Sequence, residues 1–134
     1  MNQHLANLIS DYQSSVLEAV ALMQASGIPM PASSNAWVAT QIPQRGLLAG
    51  GIPYFKHGFG CAVDLPHGKV DFDFGSEGQI DGFDAWRLAG FAGTRLAAYG
   101  FADEASLNSC FQSEVTAGSL TYSGYLLYYL ARAA

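Results

Sequence analysis

Apolar positions in the first 26 residues recur at three- and four-residue intervals: Leu5, Leu8, Ile9, Tyr12, Val16, Val20 and Met23. That stripe predicts one long amphipathic helix over residues 2–26 with a single buried face. Gly27 ends it, and Pro29 and Pro31 keep it from resuming. Its polar side lacks the Lys and Arg of interfacial helices, so the stripe reads as a core face.

The period changes after residue 51. "IPYFKH", "FGCAVDL" and "VDFDF" alternate with period two, and "PHGK" separates the last two, which predicts strands and a hairpin. Phe59, Cys61, Val63 and Leu65 share a face with Val70, Phe72 and Phe74. Gly60, Ala62, Asp64, Asp71 and Asp73 share the other. Taking "PHGK" as a four-residue loop pairs Leu65 with Val70, Val63 with Phe72 and Cys61 with Phe74. The same register sets Asp64 opposite Asp71 and Ala62 opposite Asp73. Like charges facing each other across strands cost about 0.2–1 kcal/mol. This register therefore asks for a positive group over the face: Arg87 or Arg95 from the following helix, a bound cation, or a partner's basic side chains.

Residues 32–51 read as a small-residue connector with one or two helical turns in "SNAWVATQI". The "AGG" at 49–51 is not followed by a phosphate-loop Lys and is plain flexible chain. Helical spacing returns in "DAWRLAGFAGTRLAAYG", 84–100, and "DEASLNSCFQSEVTAG", 103–118. Asp84 is placed as an N-cap, with Phe83 and Leu88 as a hydrophobic staple. Trp86 and Arg87 join them as structural residues of the first turn. The tail "SLTYSGYLLYYLARAA" fits a strand or a helix face. Together these elements predict a single α+β domain over residues 1–134: an antiparallel sheet with helices packed on one face and a long N-terminal helix.

Charge changes the picture more than composition does. Half of the residues are hydrophobic and 13% are charged, against roughly a quarter in average soluble domains, so a partner-covered or self-associating face, as in a homodimer, is expected. The net charge of -5 falls within one window: Asp64, Asp71, Asp73, Glu77, Asp81 and Asp84 against Lys69. Such a chain has no footprint for nucleic acid or an anionic membrane. Nothing at its start reads as a signal peptide, and "YLLYYLA" is far too short to span a bilayer, so a cytoplasmic location is expected. Cys61 and Cys110 lack metal-site spacing and read as reduced, buried thiols.

"DFGSEGQIDGFD" places Asp73, Glu77, Asp81 and Asp84 at ligand positions of a calcium loop, but Gly75 leaves one position empty and Asp84 is short for a bidentate ligand. No metal ligand set and no cofactor is assigned. His57 lies near the acidic hairpin and is a candidate general base, although no activated nucleophile accompanies it. His67 in the turn and His4 in the first helix turn read as solvent-facing.

The stretch "HGFGCAVDLPHGKVDFDFGSEGQIDGFDAWRLAGFA", 57–92, resembles the core of a family of small bacterial proteins catalogued as a domain of unknown function, in which "HG-x-GC", "VDFDFG" and "DGFD-x-WRL" recur in this order. The resemblance implies a compact bacterial α+β domain of immunity-protein type, associated with toxin loci. The expectation is a binding protein that presents Asp64, Asp71, Asp73, Glu77 and Asp81 to the basic patch of a cognate toxin. A calcium- or magnesium-dependent enzyme using the cluster at 64–84 is the alternative, and a homodimeric structural protein the third reading.

Overall fold

The N-terminal stripe forms helix α1 (Gln3–Ala25), with Asn2 accepting from the Leu5 N–H as its cap. Leu5, Leu8, Tyr12, Val16, Ala19 and Met23 are fully buried along it. Gly27 then takes φ +84°, which an L side chain resists, and the helix ends. The computed structural model describes residues 1–80 and 84–120, with the backbone of Asp81, Tyr128 and Tyr129. Among the described residues, no helix is long and apolar enough to cross a membrane.

Helix α2 (Ser34–Ala39) is short and held by one residue. Trp37 is fully buried, its indole N–H donates to the Gly60 carbonyl at 2.9 Å, and its ring lies 4.8 Å from that of Phe74. The sheet follows as β1 (Arg45–Leu48), β2 (Ile52–His57), β3 (Gly60–Leu65), β4 (Gly68–Phe74), β5 (Gln79–Asp81) and β6 (Tyr128–Tyr129). These strands pair in chain order, each antiparallel to the next. Helices α3 (Ala85–Ala92) and α4 (Glu104–Thr116) complete the domain, α3 lying against β4, α1 and α4.

The α+β class, the single antiparallel sheet and the long first helix are as the sequence predicts, and several details differ. Residues 45–48 form an edge strand inside the expected connector, and residues 79–81, to which the sequence assigns no element, form a short strand. The helix over 84–100 stops at Ala92, because Gly93 takes φ +53° and the chain continues as two 3-10 turns to Gly100. Phe59 is not in the core. It sits in the two-residue turn between β2 and β3 and is 55% exposed. Gly58 precedes it at φ +50°, the conformation a tight hairpin demands of its first turn residue. The tail supplies a strand at Tyr128–Tyr129, and the rest of 121–134 lies outside the described residues.

The hairpin register is corrected by two residues. Pro66 and His67 alone form the turn, so Leu65 pairs with Gly68, Val63 with Val70 and Cys61 with Phe72. A shift of two keeps every side chain on its face, and Cys61, Val63, Leu65, Val70, Phe72 and Phe74 are all buried. What changes is who faces whom on the polar side. Asp64 is opposite Lys69, Ala62 opposite Asp71 and Gly60 opposite Asp73. The like-charge clash between Asp64 and Asp71 does not arise.

One edge of β4 has an unusual neighbour. Strand β5 pairs with Asp73 and Phe74, and among the described residues no strand adjoins the earlier part of β4 on that side. Tyr12 fills the gap from α1: its hydroxyl accepts from the Asp71 N–H at 3.3 Å and donates to the Asp71 carbonyl at 2.5 Å. One phenol thus satisfies both edge groups of a strand residue, as an adjoining strand would. Burial pushes the Tyr12 phenol well above the usual tyrosine range, although the hydrogen bond at Asp71 and the charge of Arg87 oppose the rise.

Candidate functional site

The core covers one face of the sheet, and the opposite face of β1–β4 is polar. His57, Phe55, Arg45, Ala62, Gly60, Asp64, Asp71, Asp73 and Lys69 share it, as the strand pairings require. His57 on β2 and Asp71 on β4 are two strands apart, about 9–10 Å at ordinary strand spacing. They meet nonetheless, with His57 Nε2 2.8 Å from Asp71 Oδ1. Between them β3 offers only Gly60 and Ala62, so the floor is low enough for the side chains to bridge. At Gly60 a Cβ would overlap the Asp73 carboxylate and the Phe72 carbonyl. The glycine in "HGFGC" is therefore needed for close packing.

The imidazole is fixed from its other side as well. Phe55 stacks on it at 5.5 Å and 27°, and the Arg45 guanidinium lies 4.2 Å from the Phe55 centroid. Asp73 is held by Arg87 of α3, Nη2 to Oδ2 at 2.9 Å. Burial works against the Arg87 charge, but the hydrogen bond and charge of Asp73 outweigh it and leave the guanidinium pKa above its usual value. Arg87, one of the groups named for this face, lies at it on Asp73, although the Asp64–Asp71 pairing that asked for a cation does not occur. Arg95 is elsewhere, donating to the Phe91 carbonyl and lying over the Phe91 ring.

The anticipated acidic face is therefore a face of alternating charge: Asp64, Asp71 and Asp73 against Lys69, Arg45 and Arg87, with His57 on Asp71. Asp64 is exposed, and Asp71 and Asp73 are half-buried. Glu77 is exposed in the turn before β5, where its N–H donates to the Gln79 side chain. The Asp81 side chain and Phe83, half of the expected staple, lie outside the described residues. Asp84 caps α3, accepting from the Arg87 N–H at 2.9 Å, and Leu88 is fully buried. Trp86 is 67% exposed on the outer side of α3, so it is not a packing residue. It lines a cleft of about 200 Å³ with Lys69, Asp71, Arg87, Ala89, Gly90 and Glu104. A second cleft, of about 330 Å³, runs over Phe55 and Ala62 between Arg45 and Lys69.

The arrangement can hydrogen-bond and pair charges, and its His–Asp contact can move a proton. The calcium-loop reading loses two ligands, since Asp73 is engaged by Arg87 and Asp84 by a helix N-terminus. No group of three His, Cys, Asp or Glu side chains converges on a metal position among the described residues. Cys61 is buried and its thiol is pushed up to about 12 by that burial, so it is no nucleophile. Away from this face, His67 Nε2 meets both Ser15 Oγ at 3.1 Å and Glu18 Oε2 at 3.3 Å. Both contacts use one nitrogen, so no acid–imidazole–hydroxyl relay exists there. Sequence reasoning missed Tyr12, Phe55 and Arg45 as supports of the site. Only the register of β1 and β2 reveals Phe55 and Arg45, and only the packing of α1 against β4 reveals Tyr12.

Four of the large apolar side chains exposed on the described surface border this face or its rim: Leu47 at 69%, Trp86 at 67%, Phe59 at 55% and Val38 at 51%. Three stretches separated in sequence, "HGFGC", "VDFDFG" and "AWRL", supply His57 and Gly60, Asp71 and Asp73, and Arg87 to it. No curated protein and no solved structure matches the chain. Over residues 5–130 it matches the family described as domain of unknown function DUF6896, and it belongs to that family.

Proposed function

We propose that this domain is a binding protein of immunity type that docks a cognate toxin with the open face of its sheet. The observation that carries the reading is the preorganised character of that face. Its charges are held by His57–Asp71 and Arg87–Asp73 contacts, and exposed Leu47, Phe59 and Trp86 surround them. Fixed side chains lose little rotamer freedom on association, and exposed aromatic residues are the usual anchors of an interface. The net charge of -5 favours a basic partner and raises its encounter rate. The test is co-expression with the product of an adjacent toxin gene, scored as rescue of growth. A Leu47→Asp, Trp86→Asp variant should lose rescue while Glu18→Lys, on α1, keeps it. Equal rescue by all three proteins would reject the open face.

The His57–Asp71 contact supports a second reading, a general base acting on water without a protein nucleophile. His57→Gln and Asp71→Asn should then abolish a turnover that Trp86→Asp leaves intact, the reverse of the docking pattern.

A further inference from the structure

The groove between the connector after α2 and the β2–β3 turn differs in charge from the clefts of the open face. Val38, Ile42, Gln44, Lys56, His57, Gly58 and Phe59 line an open groove of about 480 Å³. Among the described residues that lining contains a cation and an imidazole but no carboxylate, in a chain of net charge -5. Lys56 Nζ donates to the carbonyls of Val38 at 3.1 Å and Thr40 at 3.3 Å and lies 5.6 Å from the Trp37 ring centroid. An ammonium has three donors, so two neutral acceptors leave one donor over, and no carboxylate lies within ion-pair distance among the described residues. His57 is tied to Asp71 through Nε2, which leaves Nδ1 unused by that contact. Val38 and Phe59 expose about half of their surface beside this cation.

We propose that the groove binds a small carboxylate with an apolar body, a medium-chain alkanoate or arylalkanoate. The carboxylate accepts from Lys56, and the body lies between Val38, Ile42 and Phe59. The volume falls within the range of small-molecule sites, which combine apolar walls with a few polar anchors. Burying apolar surface supplies the affinity, and the remaining donor of the Lys56 ammonium, whose acceptors within the fold are neutral carbonyls, selects the anionic head group.

Trp37 lies beside the Lys56 ammonium, so its fluorescence in a Trp86→Phe background reports occupancy. Octanoate should bind saturably in the millimolar range or tighter, about tenfold more tightly than octanamide, while octylammonium should not bind. Amide shifts in a nitrogen–proton correlation spectrum should concentrate at Val38, Ile42 and Phe59. Lys56→Met should erase the preference for octanoate over octanamide, and Lys56→Arg should keep it. If Lys56→Met fails to fold, Phe59→Ser decides, since it should weaken both ligands while the preference persists. Equal binding of octanoate and octanamide, no saturation, or shifts centred elsewhere would overturn the proposal.

Discussion

Replacing Tyr12 by Phe removes one oxygen and keeps the ring that meets Phe91 edge-on at 5.5 Å. Two backbone groups of Asp71 then lose their partner at the edge of β4. A net hydrogen bond is worth about 1 kcal/mol, and a buried group left unpaired costs about 1–3 kcal/mol. Asp71 is only partly buried, so water recovers some of this, and the expected loss is about 2–3 kcal/mol. At about 3–5 °C per kcal/mol for a chain of this length, the melting midpoint should fall by about 6–15 °C. Calorimetry measures the midpoint, and amide exchange localises the cause. The Asp71 amide should exchange faster, while those of Val70 and Phe72, which lie on the β3 side of the ladder, should not. Alkaline titration adds a signed check. The folded state retains the raised Tyr12 proton that the unfolded chain releases near the ordinary value of 10.0, so wild-type stability declines above that pH, and the Phe variant should lose this part of the decline. A midpoint shift below about 2 °C, or unchanged Asp71 exchange, would refute Tyr12 as the substitute for a neighbouring strand.

Three further outcomes follow from the same geometry. Arg87→Met should cost about 1–2 kcal/mol, discounted for the partial exposure of Asp73, and adding Asp73→Asn should recover part of it in a denaturant double-mutant cycle. Cys61→Ala should flatten the alkaline stability profile between about pH 9 and 12: the folded thiol, raised to about 12, keeps a proton the unfolded chain loses, so wild-type stability falls by up to about 1.4 kcal/mol per pH unit there. Asp84→Ala should cost about 1 kcal/mol by urea unfolding and Asp84→Asn much less, because an amide oxygen can still cap the helix.

The sequence was most legible where one physical rule acted over many residues. The α1 stripe and the inward face of the β3–β4 hairpin are legible because burial repeats with a fixed period, and the Asp84 cap because an Asp stands immediately before a helical stripe. Register was not legible to the same degree. Hydrophobic alternation sets only the parity of pairing, and both a four-residue and a two-residue turn satisfy it around "PHGK". The gain of Lys69 opposite Asp64 settles between them, and that gain lies on the polar face. Strand β1, "RGLL", was too short to show a period, so the Arg45–Phe55–His57 stack built on it was hidden. The His57–Asp71 contact was partly visible: proximity to the acidic hairpin pointed to it, but its geometry depends on Gly60 and Ala62 lying flat between two strands.

The corrected register also changes what a partner would have to recognise. In the expected register, Asp64 and Asp71 repel each other, and any basic surface would relieve them. In the observed one, the charges have partners within the fold, so a general basic patch gains less at short range, and the order of signs becomes the recognisable feature. The net charge of -5 still acts at a distance, though its reach is about 8 Å at physiological salt. Exchanging the cross-strand pair, Asp64→Lys with Lys69→Asp, separates these two effects because it preserves net charge and cross-strand attraction. A partner attracted only by the overall field should bind this variant with unchanged affinity. One that reads the open face should lose about tenfold or more, mainly through faster dissociation. Binding kinetics on a stably folded exchange variant make the distinction. Unchanged dissociation would mean that the alternating face organises the sheet and does not select the partner.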